Sequence, residues 1–141
     1  MSYAAKTFEE FRIGDASTFS KTIGEAEILL FAAVSGDNYP LHVDAEYAKT
    51  TRFGQRAAHG MLTASLLSTV VGLLLQTPGG IYVEQSIRFK RPVFAGDTLT
   101  ARAEVIELLP ERRRMRIAAR VENQRGEAVL EGEGLIQKDE R

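Results

Sequence analysis

The hydrophobic period of the chain changes near residue 80: before it apolar side chains recur at helical spacing, and after it they alternate with polar ones. Arg12-Ile13-Gly14-Asp15 reads as a turn leading into a short strand from Ala16 to Lys21. Thr22-Ile23-Gly24-Glu25 has the form of a capping box, and Ile28, Leu29, Phe31, Ala32 and Ala33 follow until a Ser35-Gly36 stop. This spacing predicts a helix of about three turns. Pro40 lacks an amide proton and disfavours helix at Tyr39, so Asp37 to Val43 is expected to be an ordered loop, with Asp44 as N-cap of a short helix from Ala45 to Lys49. The segment Gly60 to Gln76 carries Met61, Leu62, Leu66, Leu67, Val70, Val71, Leu73, Leu74 and Leu75 all round its helical circumference, which predicts burial on several sides. Thr77-Pro78-Gly79-Gly80 ends it.

From Ile81 the apolar positions alternate. They predict one strand through Ile81, Val83, Ile87 and Phe89, a second through Leu99 to Val105, a third through Met115 to Val121 and a last from Ala128 to Ile136. Phe94-Ala95-Gly96-Asp97, Leu109-Pro110-Glu111 and Asn123-Gln124-Arg125-Gly126 mark the turns, and such short links favour antiparallel pairing. An antiparallel sheet needs a cover for its apolar face, and the Gly60 to Gln76 helix is the candidate. The expected class is α+β, a sheet curved around one central helix.

Composition narrows the function. The 141 residues, 44% of them apolar and 26% charged, suit one folded domain over 1–141. Lys and Arg number 18 against 19 for Asp and Glu, a net charge of -1, so the chain lacks the basic footprint of a nucleic-acid binder. Without cysteine there are no disulfides, thiolate metal ligands or cysteine nucleophile. The most apolar stretch, Met61 to Leu75, is short and interrupted by Thr63, Ser65, Ser68 and Thr69, which argues against a signal peptide or membrane span. A cytoplasmic protein without membrane or nucleic-acid partners is expected.

The densest group of reactive side chains is Ser35-Gly36-Asp37-Asn38-Tyr39-Pro40-Leu41-His42. A carboxylate and an imidazole that share a water can divide proton work between them. On spacing alone the commoner case is Asp37 closing a turn and His42 packing as a satisfied polar residue. Ala58-His59-Gly60-Met61 opens the apolar helix, where free amides can receive an anionic oxygen; a glycine needed only for close packing would look the same. Ser68 falls about two turns after Gly60, and alone it reads as a small core residue bonded to its own helix.

As a set, Ser35 to Asp44, Ala58-His59-Gly60-Met61-Leu62, Ser86-Ile87-Arg88-Phe89-Lys90-Arg91-Pro92-Val93 and Gly96-Asp97 resemble the MaoC-like (R)-specific enoyl-CoA hydratases of the hotdog fold, in order from Phe8 to Ile136. The resemblance implies a homodimer joined sheet edge to sheet edge. It implies Asp37 and His42 as an acid/base dyad holding a water, Gly60 as the amide that binds the thioester oxygen, and Ser68 as a supporting polar residue. The implied substrate is an enoyl-CoA or acyl-carrier-protein thioester, hydrated to an (R)-3-hydroxyacyl thioester, with no metal or redox cofactor and coenzyme A present only as part of the substrate. Tyr39 stands where the family has asparagine. The carrier's phosphates need cations, and Arg52, Arg56, Arg88, Lys90 and Arg91 lie near the motifs, with Arg52 and Lys90 as the candidate phosphate-binding residues. The run Arg112 to Arg116 reads as a strand edge protected by charge. A hotdog thioesterase is disfavoured because Gly60 to Gln76 holds no carboxylate; a noncatalytic thioester binder is the other alternative.

Overall fold

Six antiparallel strands curl around one helix in the computed structural model, which describes residues 6–75 and 79–139. The elements are β1 (Ala16–Thr22), α1 (Glu25–Ser35), α2 (Pro40–Val43), α3 (Ala45–Lys49), α4 (Gly60–Leu75), β2 (Gly80–Gln85), β3 (Arg88–Phe89), β4 (Thr98–Leu109), β5 (Arg114–Glu122) and β6 (Ala128–Lys138). Strand order is β1-β4-β5-β6-β2, with β3 also paired to β6. This is the α+β architecture expected from the change of period, and the hotdog fold that the resemblance implies. The predicted helix end at Gln76 and its breakers Thr77 and Pro78 lie outside the described residues.

Alternation along the strands delivers one face to the core. Leu99, Ala101, Ala103 and Val105 of β4 and Met115, Ile117, Ala119 and Val121 of β5 are all buried in one cluster with Leu66, Leu67, Val70, Val71 and Leu74 of α4. The small pairs on that face, Ala103 opposite Ala119 and Ala101 opposite Val121, let the helix lie close to the sheet. One side of α4 stays bare: Met61, Ser65, Ser68 and Thr69 are exposed, so burial is less complete than an all-apolar helix predicts. Lys138, at the end of β6, is 2% exposed and donates from Nζ to the carbonyl of Leu75 at 3.1 Å, at the C-terminal end of α4. Burial draws its pKa down from the ordinary lysine value.

Local chemistry corrects several boundaries. The cap of α1 lies two residues later than the Thr22 box: Gly24 is the N-cap, and its N–H donates to the Glu27 carboxylate at 2.9 Å. Thr22 instead pairs its hydroxyl with that of Thr98 at 2.7 Å across β1 and β4. The carboxyl of Glu27 titrates below its ordinary value because its own amide, that of Gly24 and then Lys21 favour the charged form. A group held low in the fold supports stability above its unfolded pKa and loses that support as pH falls through its folded pKa. Glu27→Gln therefore lowers the thermal midpoint at pH 7, and the deficit relative to wild type shrinks as pH falls below 4.5; equal deficits at pH 7 and in acid contradict the cap.

The expected loop from Asp37 to Val43 contains a helical turn, α2, because Pro40 occupies its first position, where the missing N–H has no partner to lose and φ is preset. The single strand expected from Ile81 to Phe89 is two, β2 and β3, both on β6. Ser86 breaks the run by donating its amide to Glu133 O at 2.8 Å and accepting Glu133 N–H on its hydroxyl at 3.0 Å. Gly132 makes this approach possible, since a Cβ there would stand 1.9 Å from Ser86 O. Finally, β5 lies between β4 and β6, so the arginine run is no strand edge. Neighbours engage its side chains instead: Arg116 pairs with Glu107 at 3.0 Å and Arg113 with Glu9 at 2.7 Å, while Arg114 donates to the neutral amide of Gln137 at 2.9 Å.

Candidate active site

The segment between α1 and α2 is shaped by its own main chain. Gly36 takes a left-handed φ of 78° and ends α1, turning the chain so that Asp37 N–H reaches Ser35 Oγ at 3.1 Å. Asp37 Oδ1 accepts the N–H of Tyr39 at 3.1 Å, and Tyr39 C=O accepts the N–H of His42 at 2.9 Å. Both candidate catalytic residues are thus held by backbone groups that any side chain at position 39 would supply.

His42 is mostly buried, with its side chain 13% exposed, while the Asp37 side chain is 49% exposed. The Nδ1 of His42 lies 2.6 Å from the carbonyl of Ala57. A carbonyl only accepts, so Nδ1 carries the proton and Nε2 presents a lone pair in the neutral ring. That Nε2 faces Asp37 Oδ2 at 4.0 Å. The gap is too long for a direct hydrogen bond and suits two groups that bind one water between them.

His42, Gly60, Arg52 and Lys90 share a cleft of about 450 Å³, floored by Ala58 and Val93 and flanked by Phe89. Gly60 opens α4, and among the described residues neither its N–H nor that of Met61 meets an acceptor. Two amides at the positive end of a helix are therefore available to a carbonyl oxygen in the cleft. A Cβ at Gly60 would stand 2.8 Å from Phe89 Cε1, so a side chain there would displace that ring. Asp37 does not line this cleft and joins it through His42. Ser68 does not line it either; it sits in an adjoining apolar groove of about 380 Å³ with Phe31, Leu67, Tyr82 and Ile87, and Met61 borders both. Tyr82 at the groove wall has its phenol pushed up to about 12 by burial.

The structure also sorts the cations. Arg56 is engaged by Glu25, and Arg91 by Glu127 at 3.2 Å. Arg88 faces a separate groove with Glu131 and Glu133. Arg52 and Lys90 meet no carboxylate among the described residues and both face the cleft.

His59, which the sequence reading left without a role of its own, lies at the centre of the site. Its Nε2 is 3.0 Å from Asp37 O, its ring stacks on His42 with centroids 3.9 Å apart at 24°, and Phe31 packs against it at 4.8 Å. Ligand-capable atoms of Asp37, His42 and His59 lie within 4.8 Å of one another. Tyr39 sets its ring edge-on to His42 at 5.9 Å and its hydroxyl 3.2 Å from that of Tyr47. Its hydroxyl is directed to Tyr47 and makes no hydrogen bond to Asp37 or His42 among the described residues.

Residues 10–127 match the MaoC like domain family. The chain belongs to this family. It is 45% identical over 131 residues to an (R)-specific enoyl-CoA hydratase of Rhodospirillum rubrum, covering 92% of this chain and 89% of that protein. It is 40% identical over 129 residues to a 3-hydroxybutyryl-CoA dehydratase of Methylorubrum extorquens, covering 92% and 82%. Among solved structures, the unliganded R-hydratase of Pseudomonas aeruginosa superposes with a TM-score of 0.89 at 45% identity, over 96% of this chain and 86% of that one. In this MaoC-like domain the main-chain bonds that shape the loop use the N–H and C=O of Tyr39 and not its side chain. Among the described residues no helix is long and apolar enough to cross a membrane.

Proposed function

We propose that this chain is an (R)-specific enoyl-CoA hydratase that adds water to trans-2-enoyl thioesters and runs in reverse as a 3-hydroxyacyl dehydratase. The observation that carries this reading is the 4.0 Å separation of Asp37 Oδ2 from a His42 Nε2 whose lone pair is fixed by Ala57, beside the free amide of Gly60. The names of the two relatives support it. The thioester oxygen binds at the Gly60 amide, which draws electron density from the β-carbon. His42 and Asp37 hold the water; a proton leaves it for the dyad as its oxygen bonds to the β-carbon, and the electron pair moves to the thioester oxygen. When the carbonyl re-forms, the dyad returns the proton to the α-carbon, so the water is fully consumed. No metal or redox group takes part. The acyl chain runs past Met61 into the groove of Ser68, and a second copy completes the working unit against the bare side of α4 and the open edge of β2.

Crotonyl-CoA tests the reaction: conjugated enoyl absorbance falls with no release of free thiol. Thiol release identifies a hydrolase and overturns the reading. Arg52 and Lys90 receive the phosphates of the carrier. Arg52→Ala and Lys90→Ala each raise KM about threefold to tenfold with kcat unchanged, and the effect diminishes at high salt because the charges at the cleft mouth are screened. A KM that moves in neither variant removes these residues from the carrier site.

A further inference from the structure

We infer that His59 is the positioning residue of the Asp37–His42 dyad, an inference that rests on the hydratase reading above. One ring joins every part of the site. Its Nε2 bonds to the main-chain oxygen of Asp37 at 3.0 Å, and because that oxygen only accepts, Nε2 carries the proton. One face stacks on His42 and Phe31 of α1 packs against the ring as well. The carbonyl of His59 accepts Leu62 N–H at 3.0 Å and so starts α4, which places the ring one residue from the Gly60 amide.

The bond to Asp37 is different in kind from the others in its loop. The remaining main-chain hydrogen bonds of residues 36–39 run to Ala32, Ser35, Gly36, Asp37 and His42, all close in sequence, whereas His59 is 22 residues from Asp37. Without it the Asp37 carboxylate is carried by a loop that leans only on itself. A second observation points the same way. His59 is 2% exposed, and its Nδ1 is the buried side-chain atom that has no hydrogen-bond partner among the described residues. Phenylalanine would fill the same space between two rings without an unsatisfied nitrogen, so packing does not account for an imidazole here; a donor aimed at Asp37 does.

The substitutions His59→Phe and His59→Gln separate the two contacts. The first keeps an aromatic face for His42 and loses the donor; the second keeps an N–H donor of similar reach and loses the stack. Displacing a catalytic group by a fraction of an ångström to 1 Å acts on turnover, so H59F lowers kcat for crotonyl-CoA about 10- to 100-fold with KM within about twofold. Its thermal midpoint stays close to wild type, because the lost bond to Asp37 O and the removal of the orphaned Nδ1 act in opposite directions. H59Q recovers part of the lost turnover. In an Asp37→Ala background H59F has no further effect, since His59 works through Asp37. Wild-type kcat in H59F, or a loss in the D37A background as large as in wild type, overturns the proposal. Long-range ¹⁵N spectra of the two histidine rings give a reading independent of activity: His59 is the Nε2–H tautomer, and an Nδ1–H ring at His59 overturns the bond. A wild-type protein that leaves crotonyl-CoA unhydrated overturns the reaction itself, and the tautomer still decides the role of His59 in holding Asp37.

Discussion

Asp37→Ala and His42→Asn each reduce crotonyl-CoA hydration by about 10³-fold, with the double variant hardly slower than either one, because the two groups act on the same water as a unit. The substitutions are chosen for what they leave in place. The Asp37 side chain is half exposed, and its principal bond within the protein is the N–H of Tyr39, so removing it spares the core. Asparagine at 42 can still donate toward Ala57 O from the position of Nδ1, while the lone pair at Nε2 is gone. Rates within a few-fold of wild type in both variants would falsify the dyad. A fall in rate accompanied by an equal fall in the fraction folded, measured by circular dichroism, assigns the residues to the fold.

Gly60→Ala keeps the amide donor but crowds the cleft beside it, and reduces kcat/KM by about 10- to 100-fold, the scale of loss when the reacting groups are displaced by up to about 1 Å. The added Cβ falls within 2.8 to 3.1 Å of three atoms of the Phe89 ring. That ring is exposed and belongs to the two-residue strand β3, so it can swing aside at modest cost to stability. It cannot do so without entering the cleft that it shares with His42 and Gly60. Activity therefore falls far more than the thermal midpoint. A midpoint that collapses while the residual folded enzyme turns over at wild-type rate assigns Gly60 to packing alone.

Residues that act through near neighbours in sequence were visible before the fold was known. The loop from Ser35 to His42 is one case, since its turn, its proline and both members of the dyad lie within a few positions and are tied by their own backbone. The strands were visible for the same reason: alternation is local. What escaped notice depends on partners far along the chain. His59 needs Asp37, and Lys138 needs Leu75, 63 residues away. Among the cations nothing local separates Arg56 from Arg52; Glu25, supplied by α1, decides that one is engaged and the other is available. The division between β2 and β3 depends on Gly132 of β6, and the status of the arginine run on strand order, which places β5 inside the sheet.

Lys138 gives α4 an electrical asymmetry. A helix carries a partial positive charge at its N-terminus and an equal negative one at its C-terminus, each felt mainly within the adjoining turn. Here the ammonium of Lys138 sits against the Leu75 carbonyl and opposes the negative pole, while the amides of Gly60 and Met61 at the other end face the cleft with no acceptor of their own. Each end of α4 is thus matched to its own partial charge, the negative one by a buried lysine of the same chain and the positive one by amides left open to an oxygen entering the cleft.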